Sequence, residues 1–276
     1  MHRILFSIGS YPIYSYGVLV ALGCIAGAYY AAFQSWRLGI KRDDAFEASV
    51  WVIAMAVIGA RIGFVIQNLP FYFTHPVQIL NFRAGGMSWH GSIFGILFGV
   101  WVPTRRMGIH MVDYLDLLAP GMMLGLAIGR IGCFLNGCCY GKIAPPPWGI
   151  VTPTEDNPNV ALSRYPTQLY EMTLAFIAFG FLSRALGKRK FRGQIYCEFL
   201  ITYSIIRFVV EFWRAGSVLP GGLTLAQYVS IAIVILGVVL MGVGRKRAAR
   251  AAQEAKQDPV SSNSDDSATR REVVPA

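Results

Sequence analysis

The sequence predicts an all-α integral membrane protein of seven transmembrane helices, with its N-terminus outside and its C-terminus in the cytoplasm. Three observations carry that prediction. Hydrophobic residues make up 54% of the 276-residue chain and charged residues only 14%, against about 25% charged in soluble domains. Seven apolar runs follow one another, each close to the roughly 20 residues that a bilayer core requires. Lysines and arginines cluster after the first, third, fifth and seventh runs, and the positive-inside bias makes that side cytoplasmic.

The first run covers residues 12–33, is too long for a signal-peptide core, and is followed by Arg37, Lys41 and Arg42. The second, 45–66, contains Gly59-Ala60-Arg61, and a polar loop with prolines leads on to Met87. The third, 88–104, opens on Ser88-Trp89-His90-Gly91 and closes on Arg105-Arg106. The fourth, 112–134, runs into Gly129-Arg130-Ile131-Gly132-Cys133, and a loop rich in Pro and Asn occupies 142–166. The fifth, 167–185, opens on Thr167-Gln168-Leu169-Tyr170-Glu171 and closes on Arg184, Lys188, Arg189, Lys190 and Arg192. The sixth covers 194–213 and the seventh 223–243, ending at Arg245-Lys246-Arg247. Residues 1–244 therefore read as one membrane domain, and 245–276 as a tail that is basic and then disordered. The net charge of +10 is spread over span ends, so it reports membrane orientation, and no nucleic-acid partner is expected. Cys24 and Cys197 lie within apolar runs, where cysteine behaves as a small hydrophobe.

Charge within a span is costly and marks a functional site by default. Arg130 sits where the fourth run should still be in lipid, and four glycines in thirteen residues, 129–141, let backbone approach something closely. Tyr16, Arg61, His90, Arg130, Gln168 and Glu171 all fall at span ends on the outer side. In the sixth span Tyr203, Arg207, Glu211 and Arg214 recur at spacings of four, four and three, which places them on one helix face. The inner half shows almost no such groups. This concentration predicts one pocket open to the outer leaflet that holds an anion, because guanidinium forks suit phosphate. In a membrane the natural phosphate is a phospholipid headgroup. Each residue also has a plainer reading. Arg207 with Glu211 could be a structural ion pair, His90 an interfacial histidine, and Tyr16, Trp89 and Tyr170 aromatic-belt anchors. Gly91 and Gly95 could serve close helix packing.

The residues also resemble a known family. Gly85-Gly86-Met87-Ser88-Trp89-His90-Gly91, Gly129-Arg130-Ile131-Gly132 with Asn136-Gly137 and Gly141, Pro166-Thr167-Gln168-Leu169-Tyr170-Glu171, and Tyr203 to Arg207 with Glu211-Phe212-Trp213-Arg214 are similar to motifs of bacterial prolipoprotein diacylglyceryl transferases. Tyr16-Gly17 and Gly59-Ala60-Arg61 fit as well, and the likeness runs from residue 12 to about 243. The resemblance implies a seven-span enzyme of the bacterial inner membrane with its active site toward the outer leaflet. Its reaction moves the diacylglyceryl group of phosphatidylglycerol onto the lipobox cysteine of a prolipoprotein signal peptide, forms a thioether and releases glycerol phosphate. By position, the resemblance implies Tyr16, His90, Arg130 and Arg207 as catalytic residues, Gly141 as a signature glycine, and Tyr203 and Glu211 as further important positions; Arg61, Asn136, Gly141, Tyr203, Glu211 and Arg214 are expected to help bind phosphatidylglycerol.

Arg130 and Arg207 are expected to clamp the phosphate, with Arg61 and Arg214 in support. His90 is the candidate base for the thiol, and no cofactor or metal is expected because arginines can neutralise the phosphate. One departure stands out: the family has asparagine where this chain has Cys133, and a pair containing glutamate where it has Cys138-Cys139. Those thiols could pack inertly, form a disulfide or bind a soft metal. A transporter, an enzyme with another acceptor, and a thiol redox protein are the competing functions.

Overall fold

The computed structural model describes residues 3–9, 11–81, 85–153 and 161–257. A β-hairpin precedes the first helix: β1 (Ile4–Ile8) pairs antiparallel with β2 (Tyr11–Tyr14). The first apolar run therefore does not begin as helix at residue 12. Tyr, Ile and Tyr around Pro12 favour an extended pleat, and helix starts at Ser15, whose backbone N–H and hydroxyl both donate to the carbonyl of Arg3.

The chain then forms α1 (Ser15–Gln34), α2 (Arg42–Gln67), the short α3 (Leu69–Thr74), α4 (Trp89–Arg106) and α5 (Met111–Asn136). It continues through α6 (Thr167–Leu186), α7 (Gln194–Glu211) and α8 (Leu225–Gln257). All but α3 coincide with the seven apolar runs to within a few residues, apart from the C-terminal end of α8. Five of them, α1, α2, α5, α6 and α8, are long and apolar enough to cross a membrane. The other two carry more polar content: α4 opens on Trp89-His90 and closes on Arg105-Arg106, and α7 holds Glu198, Arg207 and Glu211. Helix α8 continues through Arg245-Lys246-Arg247 to Gln257. The basic segment is thus helical, in keeping with its alanines, arginines, lysines and glutamate, all strong helix formers. Residues 258–276, expected to be disordered, and the side chain of Trp89 lie outside the described residues.

Helix α5 is central. Its Tyr114, Leu117, Ala119, Met123 and Ala127 are fully buried, and it packs against α1, α4, α6 and α7. Helix α2 packs mainly along α4, and α8 along α7. Glycine makes two of these crossings possible. A Cβ added at Gly23 would lie 2.7 Å from the carbonyl oxygen of Gly125, and one at Gly27 2.9 Å from that of Gly121. Between α2 and α4, a Cβ on Gly91 would collide with the Gly59 carbonyl. Without a strong hydrophobic drive between helices in lipid, such small residues let backbones approach and gain packing.

The far end of the bundle contradicts the expectation that polar groups are nearly confined to one half. Asp116, fully buried near the start of α5, accepts hydrogen bonds from Arg189 Nη1 at 3.0 Å, Gly193 N at 2.7 Å and Tyr196 N at 2.9 Å. Asp113 adds contacts with Arg189 at 2.7 Å and Arg192 at 3.4 Å. Asp116 thus satisfies two N–H groups at the start of α7, and the carboxylate pair lies at the end of the bundle that carries the basic clusters.

Candidate active site

Helix direction alternates along the chain, so the start of α1, the ends of α2, α5 and α7, and the starts of α4 and α6 all meet at the opposite end. Every residue singled out in the sequence for binding or catalysis is at this end.

Arg130 stands nearly two turns before the C-terminus of α5, and its Nη2 donates to Glu171 Oε1 at 2.6 Å. Glu171, in the second turn of α6, has a fully buried side chain, and that of Arg130 is 15% exposed. On α7, Arg207 Nη1 lies 2.8 Å from Glu211 Oε2, and Arg214 Nε, just past the end of that helix, is 3.6 Å from the same oxygen. Tyr203, one turn before Arg207, lies within electrostatic reach of Glu171, Arg207, Arg130 and Arg214. The two ion-pair groups therefore converge around this phenol. Ring stacking on Phe199, at 6.1 Å between centroids, helps to fix it.

Five buried polar atoms of this cluster have no hydrogen-bond partner among the described residues: Arg130 Nε, Gln168 Oε1, Glu171 Oε2, Arg207 Nη1 and Glu211 Oε2. The Arg207–Glu211 contact is thus a charge contact without hydrogen-bond alignment. An unsatisfied buried donor or acceptor costs about 1–3 kcal/mol. Concentrated in one place, such atoms suit a ligand that offers both anionic oxygens and hydroxyl donors.

The loop after α5 completes the site. Gly137 closes the helix with φ of +78°, and Cys139, at φ +66°, is the one non-glycine residue with positive φ among those described. Gln168 Nε2 donates to the Cys138 carbonyl at 2.6 Å and Thr167 Oγ1 to that of Cys139 at 3.1 Å. Gly141 then passes so close to Trp213 that a Cβ would strike the Trp213 carbonyl. Its N–H reaches Tyr165 O at 2.9 Å, and Lys142 N reaches Trp213 O at 2.8 Å. Gly141 is therefore the backbone crossing that sets the cysteine loop beside Arg214. Asn136 ends α5, and its carbonyl accepts from Arg3 Nε at 2.9 Å. The Cys139 thiol is held below its ordinary pKa by hydrogen bonds from Cys133 and Cys138, and the charges of Arg214 and Arg130 add to the effect. Tyr16, in the first turn of α1, is partly exposed, and its backbone packs against Gly132. Its phenol is within electrostatic reach of Arg130 and all three thiols.

Arg61 and His90 are placed differently. Arg61 is buried, and all five of its donors reach backbone carbonyls. Nε goes to Ile79 at 2.8 Å, Nη1 to Gly85 at 2.7 Å and Gly86 at 3.0 Å, and Nη2 to Gln78 at 2.6 Å and Asn81 at 3.0 Å. With its fork saturated, Arg61 fastens the loop before α4 and leaves no donor for a phosphate, contrary to the supporting role expected for it. Gly85 and Gly86, both at positive φ, turn their carbonyls to it. His90 is exposed on the first turn of α4. What the sequence reading missed is the Arg130–Glu171 pair. Both residues had been noted, but their pairing needs α5 and α6 to be adjacent, which spacing along one helix cannot reveal.

The chain matches the family model described as prolipoprotein diacylglyceryl transferase over residues 3–243. Curated relatives named phosphatidylglycerol–prolipoprotein diacylglyceryl transferase include one from Clostridioides difficile, 35% identical over 87% of this chain and 94% of its own. One from Finegoldia magna is 35% identical over the same shares, and one from Methylobacillus flagellatus is 33% identical over 87% of this chain and 95% of its own.

Proposed function

The chain belongs to the prolipoprotein diacylglyceryl transferase family, and from that premise we propose that it transfers the diacylglyceryl group of phosphatidylglycerol to the cysteine thiol of a prolipoprotein. The observation that carries this reading is the convergence of Arg130, Arg207 and Arg214 around Tyr203, with unpaired buried donors and acceptors among them. The donors suit a phosphate, and the acceptors on Gln168, Glu171 and Glu211 suit the hydroxyls of a glycerol headgroup.

The acceptor thiol loses its proton, and its sulfur bonds to the terminal glycerol carbon of the diacylglycerol unit. The C–O bond to phosphate breaks, its electron pair stays on the phosphate, and glycerol phosphate leaves. Arg130 and Arg207 neutralise the charge that grows on that oxygen, the kind of fixed electrostatic help that is usually the largest catalytic contribution. Glu171 holds Arg130, and Glu211 holds Arg207 and Arg214. Tyr16 and Tyr203 orient the headgroup, while Asn136 and Gly141 shape the loop over it. His90 is the proposed base, since a neutral imidazole nitrogen can accept a thiol proton. A mostly apolar groove of about 230 Å³ between α7 and α8, lined by Ile205, Phe208, Ser230, Ile231, Val234 and Ile235, includes the residue that follows Arg207 and suits an acyl chain.

In this reading residues 1–244 are one seven-span domain of the bacterial inner membrane. Arg37, Arg105, Arg106, Arg184, Arg189 and Arg245 face the cytoplasm, and the site faces the outer leaflet. A reporter fused after Gln257 should then be active only in a form that works in the cytoplasm; activity outside would reverse the orientation. The function is tested with labelled phosphatidylglycerol and a lipobox peptide. The peptide should gain the mass of the diacylglyceryl group, and Arg130→Ala and His90→Ala should each abolish that gain. Transfer by the His90 variant would remove the base assignment and leave the clamp standing. Lipid flux without covalent transfer would favour a transporter.

A further inference from the structure

Cys133, Cys138 and Cys139 bring their three sulfurs within 4.8 Å of one another, and none of them is in a disulfide. The transfer chemistry above uses none of them. Cys133 is buried on α5, and the other two are half-buried in the loop that follows. We propose that these three thiols form a binding site for a soft d10 cation, with Zn²⁺ the natural occupant.

The geometry fits. Zinc–sulfur bonds of about 2.3 Å set the sulfurs of a tetrahedral centre roughly 3.8 Å apart, within the observed spread. A disulfide needs two sulfurs and gains nothing from the approach of a third. Passive packing does not explain why Cys139 adopts φ +66°. An L-residue held in the left-handed region is strained, and such strain gathers at functional sites. Here the hydrogen bonds from Thr167 and Gln168 to the two loop carbonyls hold the conformation.

The charges also balance. Three thiolates and one Zn²⁺ sum to −1, and the charges of Arg130 and Arg214 reach Cys139 to offset it. Binding releases three thiol protons to solvent and needs no oxidant. The exposed sides of Cys138 and Cys139 leave the fourth tetrahedral position to water, the open arrangement of a zinc with three protein ligands. The proposal does not rest on the transfer reaction, so it can fail or hold independently of it.

The test uses the full chain in detergent, reduced, stripped with chelator, incubated with Zn²⁺ and desalted before the metal is counted by mass spectrometry. The unaltered protein and Cys24→Ser should hold about one zinc per chain, and Cys133→Ser, Cys138→Ser and Cys139→Ser should each lose at least about tenfold in affinity. Because Cys133 is buried and its variant could fold poorly, Co²⁺ added to the unaltered chain gives a second reading. A sulfur-to-cobalt charge-transfer band in the near ultraviolet is expected. Absence of that band, or equal zinc retention when all three are serine, overturns the proposal. So does a chain purified without reductant or metal that shows fewer than its five free thiols, since a disulfide would then occupy the cluster.

Discussion

Arg61 and Arg130 are both arginines set into the same end of the bundle, yet their donors meet different partners. Arg61 gives all five to carbonyls, whereas Arg130 gives one to Glu171 and leaves Nε unpaired. An arginine whose fork is full holds structure, and one with spare donors can hold a ligand. Arg61→Lys should therefore lower the thermal stability of the protein, because one ammonium cannot replace a planar five-donor fork. The variant's residual folded fraction should transfer with an unchanged KM for phosphatidylglycerol; a raised KM would return Arg61 to the phosphate. Glu171→Gln should cut turnover by about 10²-fold, the scale on which one positioned electrostatic group acts, with less effect on melting. At this scale the sequence is an uneven guide. Residue type marked Arg61 and Arg130 alike as costly in lipid, and only the partners, brought in from elements far along the chain, separate them.

Glycine sets how closely the helices pack. Gly91 has the Gly59 carbonyl where its own Cβ would be, whereas Gly17, in the first turn of α1, has open space there. Gly91→Val should force α2 and α4 apart. Overpacking typically costs about 1–3 kcal/mol, and disturbance of α4 would displace His90 as well. Gly17→Ala should leave melting unchanged, and equal loss in both variants would refute the packing role. The long elements were legible, because apolar runs bounded by basic clusters need no tertiary knowledge. The hairpin at residues 4–14 was not, since its four-residue second strand, Tyr11–Tyr14, is continuous with the first apolar run. Nor was the helical extension of α8, because charge marks the limit of the membrane but not the limit of a helix.

For the whole molecule, the two ends of the bundle have different tasks. One end gathers guanidinium groups whose donors are incompletely used; the other fastens α5 to α7 through Asp113, Asp116 and Arg189. The sequence reading saw the first and overlooked the second, because two aspartates in the first turns of a run look like ordinary helix-start residues. Breaking a buried ion pair on one side costs about 3–5 kcal/mol. Asp116→Asn should accordingly lower the melting temperature while Arg130 keeps its partner Glu171, and unaltered melting would show that the contact is idle.

The same fastening turns α5 into a ruler. Asp116 is locked to α7 at one end, Arg130 must meet Glu171 near the other, and fourteen positions of continuous helix separate them. Deleting any single residue in that interval would swing the guanidinium through about 100° and draw it back by about 1.5 Å. Substitutions between these anchors are therefore open to drift wherever volume allows, while insertions and deletions are closed to it.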